Sequence, residues 1–392
     1  MKQVLFIALI GAFLVPGSAE AGLVVGDPEG VGLQVYGFTR LDVIFQDSHL
    51  SHPQYPEFAP HLPEGEEGVG DFTIHPRLSR LGFKTWSRDV ADGVSLETRI
   101  EIDFQNGGSE SRSLIRMRHA YGKLQAGGFS LLAGQTWQLV SQLYPGANAD
   151  SMMWNAGNTG DRSPQIRLAY DFAAGQEGSF QTALAVQMPN TVDGADRDED
   201  GFKDGAVAQM PSLEARMAYQ RPLWTSLPFR MAIGGHYGEE AHDLSGDTAT
   251  DDDGFTTWGL FTELELPLHD VLSIRGEFFL GEGLSDFRGG VKQTVDGDGG
   301  SVETMGFWGE AVIRPLSVLK LVAGYGQDDP EVGELGIDKN SVLWAAVQWT
   351  VVPSMKVGAE YHRWSTEHAG DSEPASSTAA VSRFNVHFKY AF

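Results

Sequence analysis

The chain ends on Ser382-Arg383-Phe384-Asn385-Val386-His387-Phe388-Lys389-Tyr390-Ala391-Phe392, and this stretch decides the fold. Phe384, Val386, Phe388, Tyr390 and Phe392 fall on every second position, and Arg383, Asn385, His387 and Lys389 fill the places between them. Successive side chains of an extended strand point to opposite faces. One face here is therefore aromatic and apolar, and the other polar and basic. A frayed terminus has no use for such a row of aromatics. A strand with lipid on one side and water on the other accounts for both faces.

Composition agrees with this reading. The chain has 392 residues, 48 of them glycine and none cysteine, so an exported form would carry no disulfide. It is 41% hydrophobic with a mean hydropathy of −0.21. That mildness suits a membrane barrel, in which alternation averages lipid-facing and water-facing residues. The net charge of −25 argues against a nucleic-acid partner, which calls for a basic surface. Residues 1–21 have the form of a signal peptide: Lys2, an apolar run, then Ala19-Glu20-Ala21 as the cleavage site. That run is too short to span a bilayer, and no later stretch approaches the roughly 18 apolar residues of a transmembrane helix.

Working back from the terminal strand, the same alternation recurs along the chain. Candidate strands cover 33–46, 72–86, 94–104, 113–123, 129–138, 165–172, 180–188 and 213–220. The second half adds 229–237, 255–266, 272–280, 304–314, 318–325, 342–351, 355–364 and 381–392. Short Pro-bearing connections (221–228, 267–270, 315–317, 352–354) alternate with long acidic ones. Proline fits where no ladder donor is needed. The expected architecture is all-β: a 16-stranded antiparallel transmembrane β-barrel with short periplasmic turns and long extracellular loops. Residues 22–392 read as a single barrel domain without a plug, and 139–161 as a candidate constriction loop.

Several blocks carry a family resemblance. Val35-Tyr36-Gly37-Phe38-Thr39-Arg40-Leu41-Asp42 and Ser79-Arg80-Leu81-Gly82-Phe83-Lys84 resemble the first two strands of the trimeric porins of Gram-negative outer membranes. Arg116-Met117-Arg118-His119-Ala120-Tyr121-Gly122 and Ala133-Gly134-Gln135-Thr136-Trp137 resemble the DcaP-like branch in particular. The ending is similar to the C-terminal strand of these barrels, which implies that Phe392 belongs to the assembly signal read by the barrel-assembly machinery. The resemblance further implies a homotrimer in outer-membrane lipid and lipopolysaccharide, with the loop at 139–161 folded into the lumen. Members of this branch can carry an N-terminal coiled coil, for which residues 22–32 are too few.

A diffusion channel selects solutes by the width and charge of its lumen. Arg40, Arg80, Lys84, Arg99, Arg112, Arg116, Arg118 and Arg167 fall on polar faces of the early strands, interleaved with Asp42, Glu97, Glu101, Asp103 and Asp171. In the strand over 113–123, His119 and Tyr121 fall opposite the arginines, with Ile115 and Met117. A basic ladder of guanidiniums suits carboxylate or phosphate groups. The plainer reading is that these charges merely pair with one another. Asp150, Trp154 and Asp161 are the candidate residues of the constriction loop, with an acid opposing the ladder as the functional arrangement. Asp196, Asp198 and Asp200 match the first half of a calcium loop, but Val207 stands where the bidentate Glu is needed, so solvated turns are the plainer reading.

The expected function is passage of small hydrophilic solutes with a lean to anions such as dicarboxylates, without cofactor or catalysis. The alternatives are a phosphate-type specific porin, an outer-membrane barrel hydrolase, and a non-conducting structural or adhesin barrel. No G-x-S-x-G supports the hydrolase.

Overall fold

A computed structural model describes residues 22–392, apart from 53, 63–67, 110, 148–151, 176, 198, 200, 243–252, 297–298, 332, 334 and 370–376. The signal-peptide reading of 1–21 therefore lies outside the described residues. The wall consists of sixteen antiparallel strands. They are β1 (Val31–Gln46), β2 (two segments, Asp71–His75 and Arg80–Ala91), β3 (Val94–Asp103) and β4 (Arg116–Ala126). Next come β5 (Phe129–Trp137), β6 (Arg162–Ala174), β7 (Gly178–Gln187) and β8 (Ser212–Pro222). They are followed by β9 (Pro228–His242), β10 (Asp253–His269), β11 (Leu272–Glu282) and β12 (Glu303–Leu316). The wall ends with β13 (Leu319–Pro330), β14 (Ile337–Val352), β15 (Met355–His368) and β16 (Ser377–Ala391).

Each strand pairs with its sequence neighbour, and β16 pairs with β1 from Phe38↔Ala391 to Gln46↔Arg383. That last pairing closes the barrel, so no row of unpaired backbone groups faces lipid. The remaining N-terminal edge of β1 is covered by an arm, Gly22–Gly26, which pairs from Gly22↔Tyr36 to Gly26↔Gly32. All short turns fall at one end of the barrel and all long loops at the other. The proline positions differ slightly from expectation. Pro267 and Pro315 sit inside the ends of β10 and β12, each at a shift of register where the ladder does not need their missing N–H.

The terminal strand is divided as its alternation requires. Phe384, Phe388, Tyr390 and Phe392 are exposed on the outer surface, while Arg383, Asn385 and His387 are buried inside. On the outside, Phe129, Tyr170, Phe172, Phe180, Tyr219 and Phe229 form an unbroken chain of ring contacts, 4.3–6.5 Å between centroids. They lie near the short turns, as the aromatic girdle at one membrane interface. Leu184, one of the most exposed apolar side chains of the wall at 62%, stands in the lipid-facing band. Leu184→Arg should therefore lower barrel stability by about 2–4 kcal/mol, the midplane cost of a lipid-facing arginine. Urea titration in lipid vesicles would read it, and an unchanged midpoint would place this face away from lipid.

The inside is not uniformly polar. Trp308, Trp344, Trp364, Val312, Val322 and Val342 project inward from β12–β15 and pack with Leu50 and Ala59 of the first long loop and Met153 and Ala156 of the third. The hydrophobic core thus sits within the barrel, between one side of its wall and the loops that fold in against it.

Candidate functional site

Residues 138–161 join β5 to β6 and run across the inner face of the barrel. Their path is fixed by wall carboxylates, one from β8 and one from each of β10 to β13. Glu214 of β8 accepts the N–H of Leu139 at 2.5 Å, and Glu263 of β10 that of Gln142 at 3.0 Å. Glu277 of β11 accepts the N–H of Leu143 at 3.0 Å and the Ser141 hydroxyl at 2.8 Å. Glu310 of β12 takes the Gly146 N–H on both oxygens at 2.8 Å, and Asp328 of β13 takes that of Gly157 at 2.7 Å. Lys320 answers by donating to the Gly146 carbonyl at 2.7 Å. Five wall carboxyls accepting main-chain N–H groups at 2.5–3.0 Å hold the loop along its length.

Gly157 lies in this run with φ +98°. A Cβ there would stand 2.0 Å from the Phe307 carbonyl oxygen, so only glycine lets the loop approach β12 so closely.

The far end of the loop is tied to two other loops through Arg288, in the connection from β11 to β12. Its Nε and Nη2 donate to Asp161 at 3.1 and 2.9 Å, and its Nη1 to Glu57 of the first loop at 3.2 Å. Its guanidinium lies 4.7 Å from the Trp154 ring centroid, and its carbonyl accepts the Asn155 N–H at 2.9 Å. Burial alone would raise the Asp161 carboxyl, but Arg288 and Arg162 outweigh it and hold that group below the usual carboxylate range. Asp161 is thus neutralised by Arg288 of the β11–β12 connection and Arg162 at the start of β6. Trp154 is fully buried, its indole N–H donating to Gly160 at 3.0 Å. Asp150 lies outside the described residues.

The basic residues of the early strands come together around two carboxylates. Glu101 takes Arg99 at 2.6 Å, Arg118 at 2.9 Å and Arg80 at 3.3 Å. Asp103 takes Arg116 through Nε and Nη2 at 2.8 and 2.6 Å, and Arg118 at 2.8 Å. Four guanidiniums therefore share two acids, and the cluster keeps an excess of positive charge. Arg162 of β6 adds to it: its Nη1 reaches Asp161 at 3.0 Å, while its buried Nε and Nη2 have no hydrogen-bond partner. The Tyr55 hydroxyl accepts from Arg116 at 3.0 Å and brings the first loop to the same place.

Other members of the expected ladder stand apart. Arg40 is closed in a buried pair with Asp42 at 2.5 and 2.8 Å, and Lys84 pairs with Glu97 at 3.0 Å. Arg167 donates to the Trp137 carbonyl at 2.5 Å and to Gln165 at 3.0 Å. Arg112 does not belong to the wall: it sits exposed in a two-residue hairpin arm (Arg112–Ser113) before β4 begins.

The facing assignment along β4 also needs correction. A bulge at Arg118 shifts the register, with Glu101 opposite His119 but Ile102 opposite Met117. The extra residue reverses the phase. Arg118 and His119 are consequently both buried on the inner side, and Tyr121 donates to the inward Glu97 at 3.4 Å. Asp196 is described, but Asp198 and Asp200 are not; in the same segment Arg197 pairs with Asp204 and Glu240.

The closed barrel, its split between short turns and long loops, and a third loop laid along the inner wall decide the architecture. The fold is that of an outer-membrane porin. The outer-membrane channel DcaP of Acinetobacter baumannii superposes with a TM-score of 0.71 at 17% identity, over 94% of this chain and 99% of that one. The anion-selective porin from Comamonas acidovorans gives 0.59 at 12% identity, over 92% and 100%. The trimer form of the Vibrio cholerae outer-membrane protein OmpT gives 0.57 at 15% identity, over 93% and 100%. No protein-family model matches the chain, and no curated sequence does.

Proposed function

We propose that this porin is a non-enzymatic diffusion channel for small hydrophilic solutes that prefers anions, with dicarboxylates as the candidate class. One observation carries the preference: Arg80, Arg99, Arg116 and Arg118 converge on only Glu101 and Asp103, beside the inner loop. Fixed guanidiniums in excess raise the local concentration of anions at any physiological pH. The likeness to a porin described as anion-selective, and to the DcaP channel, supports the same reading. In this account residues 1–21 export the chain, residues 22–392 form one barrel domain, Phe392 closes the assembly signal and three copies associate in lipid and lipopolysaccharide. The constriction is the gap between the Arg116–Arg118 wall and residues 139–161.

The test is the zero-current potential of the purified protein in a planar bilayer under a KCl gradient. The expected sign favours chloride. Arg116→Ala/Arg118→Ala removes two cations and leaves Asp103 uncompensated, so the potential should move toward cation preference. A cation-preferring wild type overturns the anion reading while leaving the porin. Absence of current would favour a non-conducting barrel instead.

A further inference from the structure

Below the inner loop, at the short-turn end of the barrel, a cavity of about 370 Å³ opens between β1, β2, β3, β16 and the turn after β14. Its lining holds five cationic side chains, Arg80, Lys84, Arg99, Lys356 and Lys389, and a single carboxylate, Glu101. Lys84 is further matched by Glu97, 3.0 Å away. Counting both side-chain acids, three cationic side chains remain without a side-chain counter-charge around one small space. Among the described residues neither Lys356 nor Lys389 has an acidic partner, and the buried Nε of Arg80 lacks a hydrogen-bond acceptor.

The cations are also held in position. Phe38 lies between two of them, with the Lys389 ammonium 3.9 Å and the Arg80 guanidinium 5.1 Å from its ring centroid. Arg99 lies 5.4 Å from the Tyr36 ring and donates to the Tyr36 hydroxyl at 2.7 Å. That hydroxyl in turn donates to Glu101 at 2.9 Å. Aromatic rings stabilise cations that lack a counter-ion without cancelling their charge. The opposite side of the barrel at this level carries Asp171, Glu263 and Glu265 against Arg216 and Arg230, so the positive excess is confined to one wall.

We propose that this basin is a second solute site, at the periplasmic mouth, for small anions bearing three or more charges, of the diphosphate or tricarboxylate class. It adjoins the cluster beside the inner loop, sharing Arg80, Arg99 and Glu101 with it, but Lys356 and Lys389 belong to the basin and Arg116 and Arg118 do not line it. A trivalent anion matches the excess, whereas a monovalent or divalent one leaves repulsion among the cations unrelieved. The site does not rest on the conducting function, because its occupancy can be measured without current.

The experiment is titration calorimetry of the full-length mature protein in detergent, with inorganic pyrophosphate and citrate as probes and succinate as the divalent control. Wild type should bind one trivalent probe per protomer saturably, more tightly than succinate, and more weakly as salt rises. Pyrophosphate and citrate binding alike identifies charge as the criterion, and binding of one alone narrows the class to phosphates or to carboxylates. Lys356→Glu/Lys389→Glu should weaken binding by about tenfold or more, Lys356→Gln/Lys389→Gln by less, and Arg230→Ala, on the opposite wall, should leave it unchanged. No saturable binding overturns the proposal. So does equal binding by the lysine variants, or a loss in Arg230→Ala as large as theirs, which would show that binding follows overall charge rather than this basin.

Discussion

Replacing Glu277 and Glu310 together by alanine is expected to release the inner loop from the wall, giving a larger and noisier single-channel conductance. Glu277 accepts from Leu143, Ser141 and the Trp308 indole, the last at 2.8 Å. Glu310 accepts from Gly146, from Arg275 at 2.5 Å and from the Trp344 indole at 3.2 Å. Each buried donor left without an acceptor costs about 1–3 kcal/mol. The partly buried Arg275 loses its partner as well. The loop segment from Ser141 to Gly146 would then exchange these contacts for water. Glu265→Ala is the control, since among the described residues Glu265 pairs with the half-exposed Arg230 at 3.1 Å and with no residue of the loop. Equal conductance and noise in the double variant and the control would show that the loop keeps its place by other means.

Arg288→Met is expected to have a comparable effect at the extracellular end. The substitution keeps bulk beside Trp154 but leaves Asp161 and Glu57 as buried carboxylates without their common cation. Three loops lose their joint at once, so flickering current and faster proteolysis of residues 139–161 should appear together. The pH dependence separates this cause from general misfolding. In the wild type the folded Asp161 carboxyl lies below its unfolded value of about 3.9. The stability it contributes is therefore present above that value and lost only as pH falls further, through the folded pKa. Current noise of the wild type should not change through this group between pH 7 and pH 5. In the variant only Arg162 and Arg116 still oppose burial, so the carboxyl moves up from its wild-type value and acidification neutralises it earlier, which should quieten the channel. Noise in Arg288→Met that is indifferent to pH would sink this account.

How much of this was legible in the sequence depends on which groups make each contact. The wall was legible because a period of two is imposed on every strand by lipid outside and water inside; each expected strand from 33–46 to 381–392 overlaps one in the structure. Arg116, Arg118 and Asp103 were found by the same period. It misassigned His119 and Tyr121 because a bulge adds one residue without any mark in the pattern. Arg288 lies in an aperiodic loop, where no face can be assigned before the loop is folded. The anchoring carboxylates are harder still. Glu214, Glu277, Glu310 and Asp328 bind backbone N–H groups, which every residue but proline possesses, so nothing in residues 139–161 announces their partners. The inward tryptophans Trp308, Trp344 and Trp364 sit on faces that water was expected to fill, and only the packed loop explains them.

The use of peptide N–H groups as the anchor points has a consequence for how such a channel can diversify. Gln142 and Leu143, which are not fully buried, are gripped by their main chain, so at these positions the mount does not depend on which side chain the loop displays. Substitutions there can retune what passes while the suspension of the loop is inherited intact from the wall. The filter behaves as an interchangeable cartridge in a fixed socket, and a new solute preference need not be accompanied by a new barrel.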